Sequence, residues 1–249
     1  MLLPPLLFGV LFVALWQALV RVTGVRAYVL PAPSDIWSSL LATFGLVVTA
    51  ALTSGTNALV GLVVGGVLGI LLAAVATRIP LLGNAISPLV AALAAMPIVA
   101  LAPIFNTMFS PLSPIPRREV VAISAFVPVF VNVARGLSRL SPVHRELMRS
   151  YAASGGAVLR TIRVPGALPY FFTGLRVASS LAVIAAVVSE YFGGLKDGLG
   201  SRITSSVGAT DYPAAWASVI GAVVLGLLFY LAAVSLERLV LGRLTAPVS

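Results

Sequence analysis

The chain reads Glu146-Leu147-Met148-Arg149-Ser150-Tyr151-Ala152 and then Ile162-Arg163-Val164-Pro165 in a polar, arginine-rich stretch. Directly after it, Gly166-Ala167-Leu168-Pro169 leads back into apolar sequence. In a chain that is apolar almost everywhere else, an ordered amphipathic stretch is typical of a surface on which a soluble partner docks. We therefore predict that this stretch is a docking element. The composition of the rest of the chain indicates the class of protein to which it belongs.

The composition is that of an integral membrane protein. Of the 249 residues, 59% are hydrophobic and 9% are charged, whereas soluble domains carry about 25% charged residues. The net charge of +9 comes mostly from arginines that lie between apolar runs, so it indicates membrane topology rather than nucleic-acid binding. The chain contains no cysteine, which excludes disulfides and cysteine-based metal sites.

Six apolar runs predict membrane-spanning helices, each of which needs about 20 residues. The runs are continuously apolar rather than alternating, which favours an all-α protein over a β-barrel. The first run has no basic segment before it and no A-x-A cleavage site, so we expect a retained helix rather than a signal peptide. The predicted spans are 4–20, 53–76, 84–109, 120–134, 170–191 and 214–236.

The distribution of basic residues predicts that both termini are cytoplasmic, because cytoplasmic loops carry an excess of Lys and Arg. With that orientation, nine basic residues fall in inner loops and six in outer loops, and residues 135–165 alone hold six of the inner ones. The inner set is Arg78, Arg135, Arg139, Arg145, Arg149, Arg160, Arg163, Arg238 and Arg243, and the outer set is Arg21, Arg26, Arg117, Arg118, Lys196 and Arg202.

A short helix is predicted at the outer surface between the first two spans. Two prolines hold residues 31–33 extended. Ser34 or Asp35 is then placed to cap a helix that carries Ile36, Trp37 and Leu40, and the tryptophan suits a membrane interface.

The second span carries Gly61, Gly65 and Gly69 at intervals of four residues. This spacing gives a smooth face for close helix packing. The face would serve packing within the chain or, alternatively, contact between two copies.

Polar residues on the third and fourth spans are candidates for lining a translocation pathway. The third span contains prolines at positions 88, 97 and 103, each of which removes a backbone hydrogen bond and tends to kink a helix. Carbonyls freed in this way must be buried in protein or line a watery cavity. Asn106, Ser124 and Asn132 would line such a pathway; alternatively, they form hydrogen bonds between helices.

Two charged residues of the fifth span are further pathway candidates. Arg176 lies inside the span, where a charge marks function by default; alternatively, it extends to the cytoplasmic surface or forms a structural pair. Glu190 lies at the outer end and would pair with an outer arginine or with a docked protein.

Residues 141–165 predict two short helices that lie across the cytoplasmic ends of the spans. Ser141-Pro142 is a typical helix start, with serine as the cap and proline in the first turn. Ser-Gly-Gly at 154–156 breaks the first helix, and a second helix over 157–162 leads to Pro165. The first helix has an apolar face at i, i+4 and i+8, formed by Val143, Leu147 and Tyr151.

The spacing of this stretch resembles the cytoplasmic EAA motif of bacterial importer permeases of the ATP-binding-cassette type, roughly E-A-A-x(3)-G-x(9)-I-x-L-P. Glu146, Ile162 and Pro165 match that motif in identity, and the other positions match it in spacing. Ala152 stands in the glycine position, a change that would be conservative in a helix.

Three further segments resemble permeases similar to those for nitrate, sulfonates, taurine and thiamine or riboflavin precursors. They are residues 30–34, which read like L-P-x-P-S, residues 97–105 of the third span, and residues 190–194 with 198–200 after the fifth span. With the motif, the resemblance covers most of the chain from residue 30 to residue 236.

The resemblance implies a type I importer fold. Residues 1–45 would form an N-terminal transmembrane helix and an outer interfacial helix, 46–240 the transmembrane domain, and 241–249 a cytoplasmic tail. Within this domain, 141–165 would be the coupling loop that docks on a separate ATPase subunit. The residues implied in that contact are Glu146, Leu147, Arg149, Tyr151, Ala152, Ala153, Ile162 and Pro165.

The resemblance also implies partners. It predicts a homodimer of permeases in a bacterial inner membrane, two ATP-binding subunits and an extracytoplasmic substrate-binding protein. The chain has no G-x(4)-G-K-[ST] phosphate loop. We therefore expect a transport subunit rather than an enzyme, with no cofactor bound by this chain and with ATP and magnesium on the partner.

Two other classes of protein stay open as alternatives. An ion-coupled secondary transporter usually places acidic residues at the bilayer midplane, whereas the acidic residues here lie at span ends or in loops. A non-transporting membrane scaffold would not need spans that contain prolines and polar residues. Small organic anions and heteroaromatic vitamin precursors both fit as solutes, although the lack of a basic cluster within the spans disfavours a strongly anionic one.

Overall fold

The computed structural model describes residues 3–110, 113–139, 141–193 and 195–244, and among them it contains helices and no strand. This confirms the all-α membrane fold. A 3-10 turn, Ile98–Leu101, precedes α5, and a π-turn, Leu159–Arg163, joins α8 to α9. The helices are α1 (Leu3–Thr23), α2 (Pro33–Ala42), α3 (Phe44–Arg78), α4 (Pro80–Ala95), α5 (Ala102–Met108), α6 (Ile115–Ser138), α7 (Pro142–Ser150), α8 (Gly155–Val158), α9 (Val164–Tyr191), α10 (Leu199–Gly208) and α11 (Tyr212–Leu244).

Within the described residues, five helical segments are long and apolar enough to cross a membrane, and each contains one predicted span. All five extend beyond the prediction, because helices continue past their apolar centres into polar ends. The boundary predicted at residue 46 falls in the first turn of α3, and the predicted tail 241–249 begins inside α11. Residues 245–249, and position 194 of the segment 190–194, lie outside the described residues.

The kink expected in the third span, 84–109, is a complete break, so this stretch is not one helix. The backbone leaves the helix at Met96, which is extended with φ −75° and ψ 135°, and the 3-10 turn and α5 follow. Proline disfavours a helical conformation at the residue before it, so Pro97 explains the break. Pro88 is accommodated within α4 and Pro103 in the first turn of α5. The predicted third span is therefore divided between α4 and α5.

The second of the two helices predicted for 141–165 is not a separate element. Gly155–Tyr191 runs as one helix of 37 residues. In its π-turn, the N–H of Val164 donates to the carbonyl of Leu159, five residues back. Because Pro165 follows and has no N–H to donate, the wider turn lets the helix continue past the proline. Of the two predicted helices, α7 alone stands apart from the spans.

The helix α2 forms where it is predicted, but neither Ser34 nor Asp35 caps it. Its N-cap residue is Ala32, which makes no side-chain bond to the helix. The guanidinium of Arg21 in α1 instead donates to Ser34 Oγ (2.9 Å) and Asp35 Oδ1 (2.7 Å). A charged partner holds these side chains against α1, and the N–H of Ser34 donates to Oε1 of Gln17 (3.1 Å), so a side chain of α1 takes the role of the cap.

The core lies where α3, α6 and α9 pack on one another. Small side chains at these contacts let the helix axes approach closely. Most of α1, by contrast, is exposed, and its Trp16 contacts Trp216 of α11 with ring centroids 5.6 Å apart. The fully buried alanines of the core include Ala58, Ala125, Ala178, Ala182 and Ala186.

The glycine face of α3 packs against α6 of the same chain. A Cβ atom added at Gly65 would overlap the carbonyl oxygen of Ala122, and one added at Gly69 would lie 3.1 Å from the carbonyl oxygen of Phe126. Gly61 faces the same helix. The face therefore serves packing within the chain, which is the first of the two predicted uses.

The helix α7 lies at one end of the bundle, beside the last turns of α3 and α6 and the beginning of α9. We call this end of the bundle the α7 end. The opposite end carries α2, α10 and the segment before α6.

Candidate functional site

The helix α7 begins as the sequence predicts. The hydroxyl Oγ of Ser141 accepts a hydrogen bond from the N–H of His144 (3.2 Å), and Pro142 occupies the first turn. The cap satisfies a backbone donor that would otherwise lack a partner at the start of a short helix.

The apolar face of α7 points away from the bundle. Val143, Leu147 and Tyr151 are 71%, 48% and 74% exposed. Glu146 on the same helix is also exposed. An exposed amphipathic helix with its apolar side chains in solvent is suited to docking in a groove of a partner.

The helix α7 ends in a Schellman motif. The N–H of Ala153 donates to the carbonyl of Met148 (3.0 Å), and the N–H of Ala152 to that of Arg149 (2.9 Å). Ala152 has φ +48°, in the left-handed region that favours glycine. The expectation that alanine is a conservative, helical replacement at position 152 is therefore wrong: the residue lies past the helix, in a conformation that explains a glycine in the motif.

We expect Ala152→Gly to stabilise the end of α7 by about 1 kcal/mol, because alanine is strained in the left-handed region and glycine is not. Hydrogen exchange at the amides of residues 152 and 153 should slow by about fivefold. Ala153→Gly is the matched control, since Ala153 does not have a positive φ. Equal protection in the two variants would contradict the strain assigned to Ala152.

Two other motif residues lie in the helix that leads back into the bundle. Ile162 is half-buried in the π-turn, and Pro165 is exposed in the first turn of α9. Both line a cavity of about 730 Å³ beside α7, together with His144 and Arg139. The guanidinium of Arg139 donates to the hydroxyl of Tyr170 (2.8 Å) at its edge. The structure thus places the C-terminal end of the motif beside the first turn of α7.

Arg149 and Ala153 lie on the other side of α7. They line a larger cavity of about 1050 Å³ between α7 and the ends of α3, α6 and α9, which we call the α7 cavity. Glu146, Leu147 and Tyr151 are not among its lining residues. The predicted coupling residues are therefore divided between an outward face, made of Leu147 and Tyr151, and two cavities behind it.

The predicted pathway residues of α5 and α6 bond mostly within their own helix. The hydroxyl of Ser124 donates to the carbonyl of Val120 (2.8 Å), and Asn132 Nδ2 donates to the carbonyl of Pro128 (2.8 Å). Asn106 Nδ2 is buried without a hydrogen-bond partner among the described residues. Of the three candidates, Asn106 thus has a donor left for a ligand or a water molecule.

Arg176 forms an ion pair between two spans. Its Nε atom lies 3.3 Å from Oε2 of Glu237 on α11, and both side chains are half-buried. The positive charge inside the bundle is therefore compensated by a carboxylate of the same chain.

Glu190 is the centre of a buried polar network at the end of the bundle opposite α7. It is 1% exposed, and its carboxyl accepts from Ser54 Oγ (2.6 Å), Asn57 Nδ2 (3.4 Å) and the N–H of Gly200 (3.2 Å). The expected ion pair with an outer arginine is not formed, because Arg118 donates to the amide of Asn57 (3.2 Å) instead. Nor does Glu190 lie on the surface where a docked protein could reach it.

A second buried charge lies next to this network. Arg117 is 1% exposed, and its guanidinium donates to Asp197 Oδ1 (2.7 Å) and to the carbonyl of Leu195. Glu190 and Arg117 together fix the segment between α9 and α10 against α3 and α6. This end of the bundle is held by polar contacts, whereas the core beneath it is apolar.

We expect Glu190→Ala to lower the free energy of unfolding by about 2 kcal/mol, because it leaves three buried donors, two on α3 and one on α10, without an acceptor. Glu190→Gln keeps an oxygen for Ser54 and Gly200 and should cost about 1 kcal/mol. Thermal unfolding of the purified protein measures both. Glu119→Gln, at a half-exposed carboxyl of the same bundle end, is the control and should unfold like the original chain.

Sequence reasoning missed the partners of Glu190, although one signal was present. Ser54 and Asn57 are polar residues three positions apart in an apolar span, so they share a face of α3. Polar residues placed in this way in a span mark an interhelical contact. The contact with Gly200 left no such signal, because it depends on how α10 turns back against α9.

The acidic residues do not form a metal site. Within the described ranges, no group of three or more His, Asp or Glu side chains is arranged to hold a metal ion.

Known proteins align with nearly the whole length of this chain. Residues 65–245 match the family model described as binding-protein-dependent transport system inner membrane component. The formylaminopyrimidine transport permease protein ThiX of Halalkalibacterium halodurans is 33% identical over 96% of this chain and 95% of its own length. The riboflavin transport system permease protein RibX of Chloroflexus aurantiacus is 30% identical over 92% and 85%. The nitrate import permease protein NrtB of Synechococcus elongatus is 29% identical over 76% and 63%.

The matched region begins within α3 and includes α7 and both cavities beside it. It also includes Glu190 and Gly200, whereas Ser54 and Asn57 of the same network lie before it. Its relatives are transport permeases, which are non-enzymatic membrane subunits, and its fold is that of the type I importer membrane domain. The chain therefore belongs to the family of inner membrane components of binding-protein-dependent transport systems, the permeases of ATP-binding-cassette transporters.

Proposed function

We propose that two copies of this chain form the translocation pathway of an ATP-binding-cassette importer. Two separate ATPase subunits drive the pathway, and an extracytoplasmic binding protein delivers the solute. The chain binds no cofactor of its own, since ATP and magnesium are held by the ATPase. The coupling loop 141–165 is the contact with that subunit.

The observation that carries this proposal is the outward apolar face of α7. A serine cap at one end and a Schellman motif at the other hold this nine-residue helix, and its apolar side chains face solvent. A short, well-capped helix transmits a rigid-body displacement from a partner better than a loop does. Arginines at the same end of the bundle can pair with acidic groups of that partner and favour its approach.

The α7 end faces the cytoplasm in this proposal. Arg78, Arg139 and Arg160 lie at that end, and residues 135–165 carry the densest group of basic residues in the chain. An excess of basic residues is typical of cytoplasmic loops. With α7 inside, the termini are also cytoplasmic and the network around Glu190 faces outward, toward the binding protein.

The solute that we infer is a neutral or weakly charged heteroaromatic compound of the vitamin-precursor type. Two relatives of at least 30% identity, which align with 96% and 92% of this chain, are named for formylaminopyrimidine and riboflavin transport. The positive charge of the span residue Arg176 is compensated by Glu237. An anionic solute such as nitrate or a sulfonate would find no free positive charge there.

The test is reconstitution. The chain, its ATPase subunit and its binding protein are placed in proteoliposomes, and the uptake of labelled pyrimidine, flavin, sulfonate and nitrate is measured with and without ATP. We expect uptake that needs ATP, the ATPase and the binding protein, with a preference for the heteroaromatic solutes. Thermal-shift screening of the binding protein with the same compounds checks the solute independently.

The alternatives give different results in the same assay. Uptake driven by an ion gradient without ATP would indicate a secondary transporter. A chain that fails to co-purify with an ATPase and transports none of the solutes would be a scaffold. ATP-dependent uptake of the anions alone would overturn the solute class but not the importer.

A further inference from the structure

The α7 cavity combines a basic rim with an apolar wall. Arg78 of α3, Arg149 of α7 and Arg163 of the π-turn line it. No carboxylate of the described residues lines this cavity or pairs with any of the three arginines. Three arginines thus line one cavity without an acidic partner from the described part of the chain.

Arg163 carries a polar atom that no other group of the described residues satisfies. Its Nε atom is buried and has no hydrogen-bond partner among the described residues. A buried donor without an acceptor is unfavourable, more so when it belongs to a charged group. Guanidinium groups match the geometry of phosphate oxygens and bind them through paired hydrogen bonds. The ligand that satisfies this rim is therefore an anion with several oxygens.

The apolar wall of the cavity extends from the rim along the spans. Ile70 lies eight residues before Arg78 on α3, and the rise of an α-helix makes this about 12 Å along the span. Val133 on α6 and Phe171 on α9 continue the wall. A free phosphate ion would use the rim alone, whereas a volume of about 1050 Å³ with walls of this kind also fits hydrocarbon. A carboxylate from a docked protein would leave the apolar part empty in the same way.

We propose that the α7 cavity binds an anionic phospholipid, with its phosphate on Arg78, Arg149 and Arg163 and part of an acyl chain along the apolar wall. Basic pockets between transmembrane helices on the cytoplasmic side are suited to anionic headgroups. The assignment to the cytoplasmic leaflet depends on the orientation proposed above, whereas lipid binding itself does not. Because α7 makes few direct contacts with the spans, the lipid would support the helix from behind while its apolar face docks.

The test is a lipid titration of the full-length, detergent-purified chain by native mass spectrometry, without the ATPase. Phosphatidylglycerol and phosphatidylcholine with the same acyl chains are compared. We expect one phosphatidylglycerol to bind in preference to phosphatidylcholine. Arg78→Gln combined with Arg163→Gln should weaken phosphatidylglycerol binding by about 30-fold. Arg160→Gln combined with Arg238→Gln removes the same charge at the same bundle end, outside the cavity, and should bind like the original chain.

A second variant tests the hydrocarbon part while keeping every arginine. Ala74 lies on the cavity wall, and Ala74→Trp should fill the space and weaken phosphatidylglycerol binding while phosphate binding is unchanged. Both variants are checked for an unchanged thermal unfolding midpoint.

Three outcomes would overturn the proposal. Equal binding of the two lipids would show an apolar site without a headgroup contact. Full displacement of the lipid by millimolar inorganic phosphate would show a free-anion site. Unchanged lipid binding in the arginine variant, combined with weaker binding of the ATPase, would assign the rim to the partner protein. Since the lipid titration contains no ATPase, a negative result there would leave the importer proposal standing. A negative result in the reconstitution would likewise leave the lipid proposal standing.

Discussion

Leu147→Asp is expected to abolish ATP-dependent uptake while the chain still folds and inserts. Leu147 is 48% exposed on the outward face of α7, so the change leaves no hole in the bundle. It does place an uncompensated carboxylate in the contact with the ATPase, which costs about 4 kcal/mol when the contact is buried. That loss corresponds to roughly 1000-fold weaker docking. Uptake into proteoliposomes and co-purification of the ATPase measure the effect.

Leu147→Met is the matched control, because it keeps an apolar side chain of similar volume. It should retain uptake and the ATPase, and both variants should elute as the original chain does on size exclusion. Normal uptake by Leu147→Asp would mean that α7 is not the docking element. Glu146→Lys gives an independent check at the first residue of the motif, where reversal of the charge should also detach the ATPase.

The spans show how far hydropathy predicts this fold. Apolar runs located the centres of five membrane-crossing helices, because burial in a bilayer requires continuous apolar sequence. Their ends were not predicted, since a helix continues through polar residues that hydropathy does not count. The predicted third span is interrupted at Met96 for a local reason, because a proline restricts the conformation of the residue before it. A hydropathy average over 84–109 does not detect a single extended residue.

The candidate site was predicted in part for similar reasons. The start of α7 and its apolar face depend on residues within one turn of each other, so the pattern was sufficient. The left-handed conformation of Ala152 comes from hydrogen bonds that close the helix, and alanine gives no sign of it. The hydrogen bond between Ser54 and Glu190 joins residues that are 136 positions apart in the sequence. A local sequence pattern cannot predict such a contact.

Gly65→Val is expected to prevent α3 from packing on α6 and to destabilise the chain by more than about 3 kcal/mol. A Cβ atom at Gly65 would overlap the backbone carbonyl of Ala122. A backbone atom cannot rotate away as a side chain can, so the two helices would have to separate. Because α3 and α6 form the core together with α9, we expect a large fall in the thermal unfolding midpoint and loss of the monodisperse species in detergent.

Gly66→Ala is the control that separates this steric effect from effects on membrane insertion and hydropathy. Apart from its chain neighbours and the backbone of its own helix, no atom lies within 4 Å of a Cβ atom added at Gly66. Alanine is favoured over glycine in a helix by about 1 kcal/mol. This variant should therefore unfold at the same temperature as the original chain or above it. Gly65→Ala, which adds the same single methyl group one position earlier, should already unfold at a lower temperature. Because positions 65 and 66 are adjacent in one span, insertion and hydropathy change equally in the two alanine variants. If both unfolded alike, the close approach of α3 and α6 would be wrong, and the glycines would be free to serve contact between two copies of the chain.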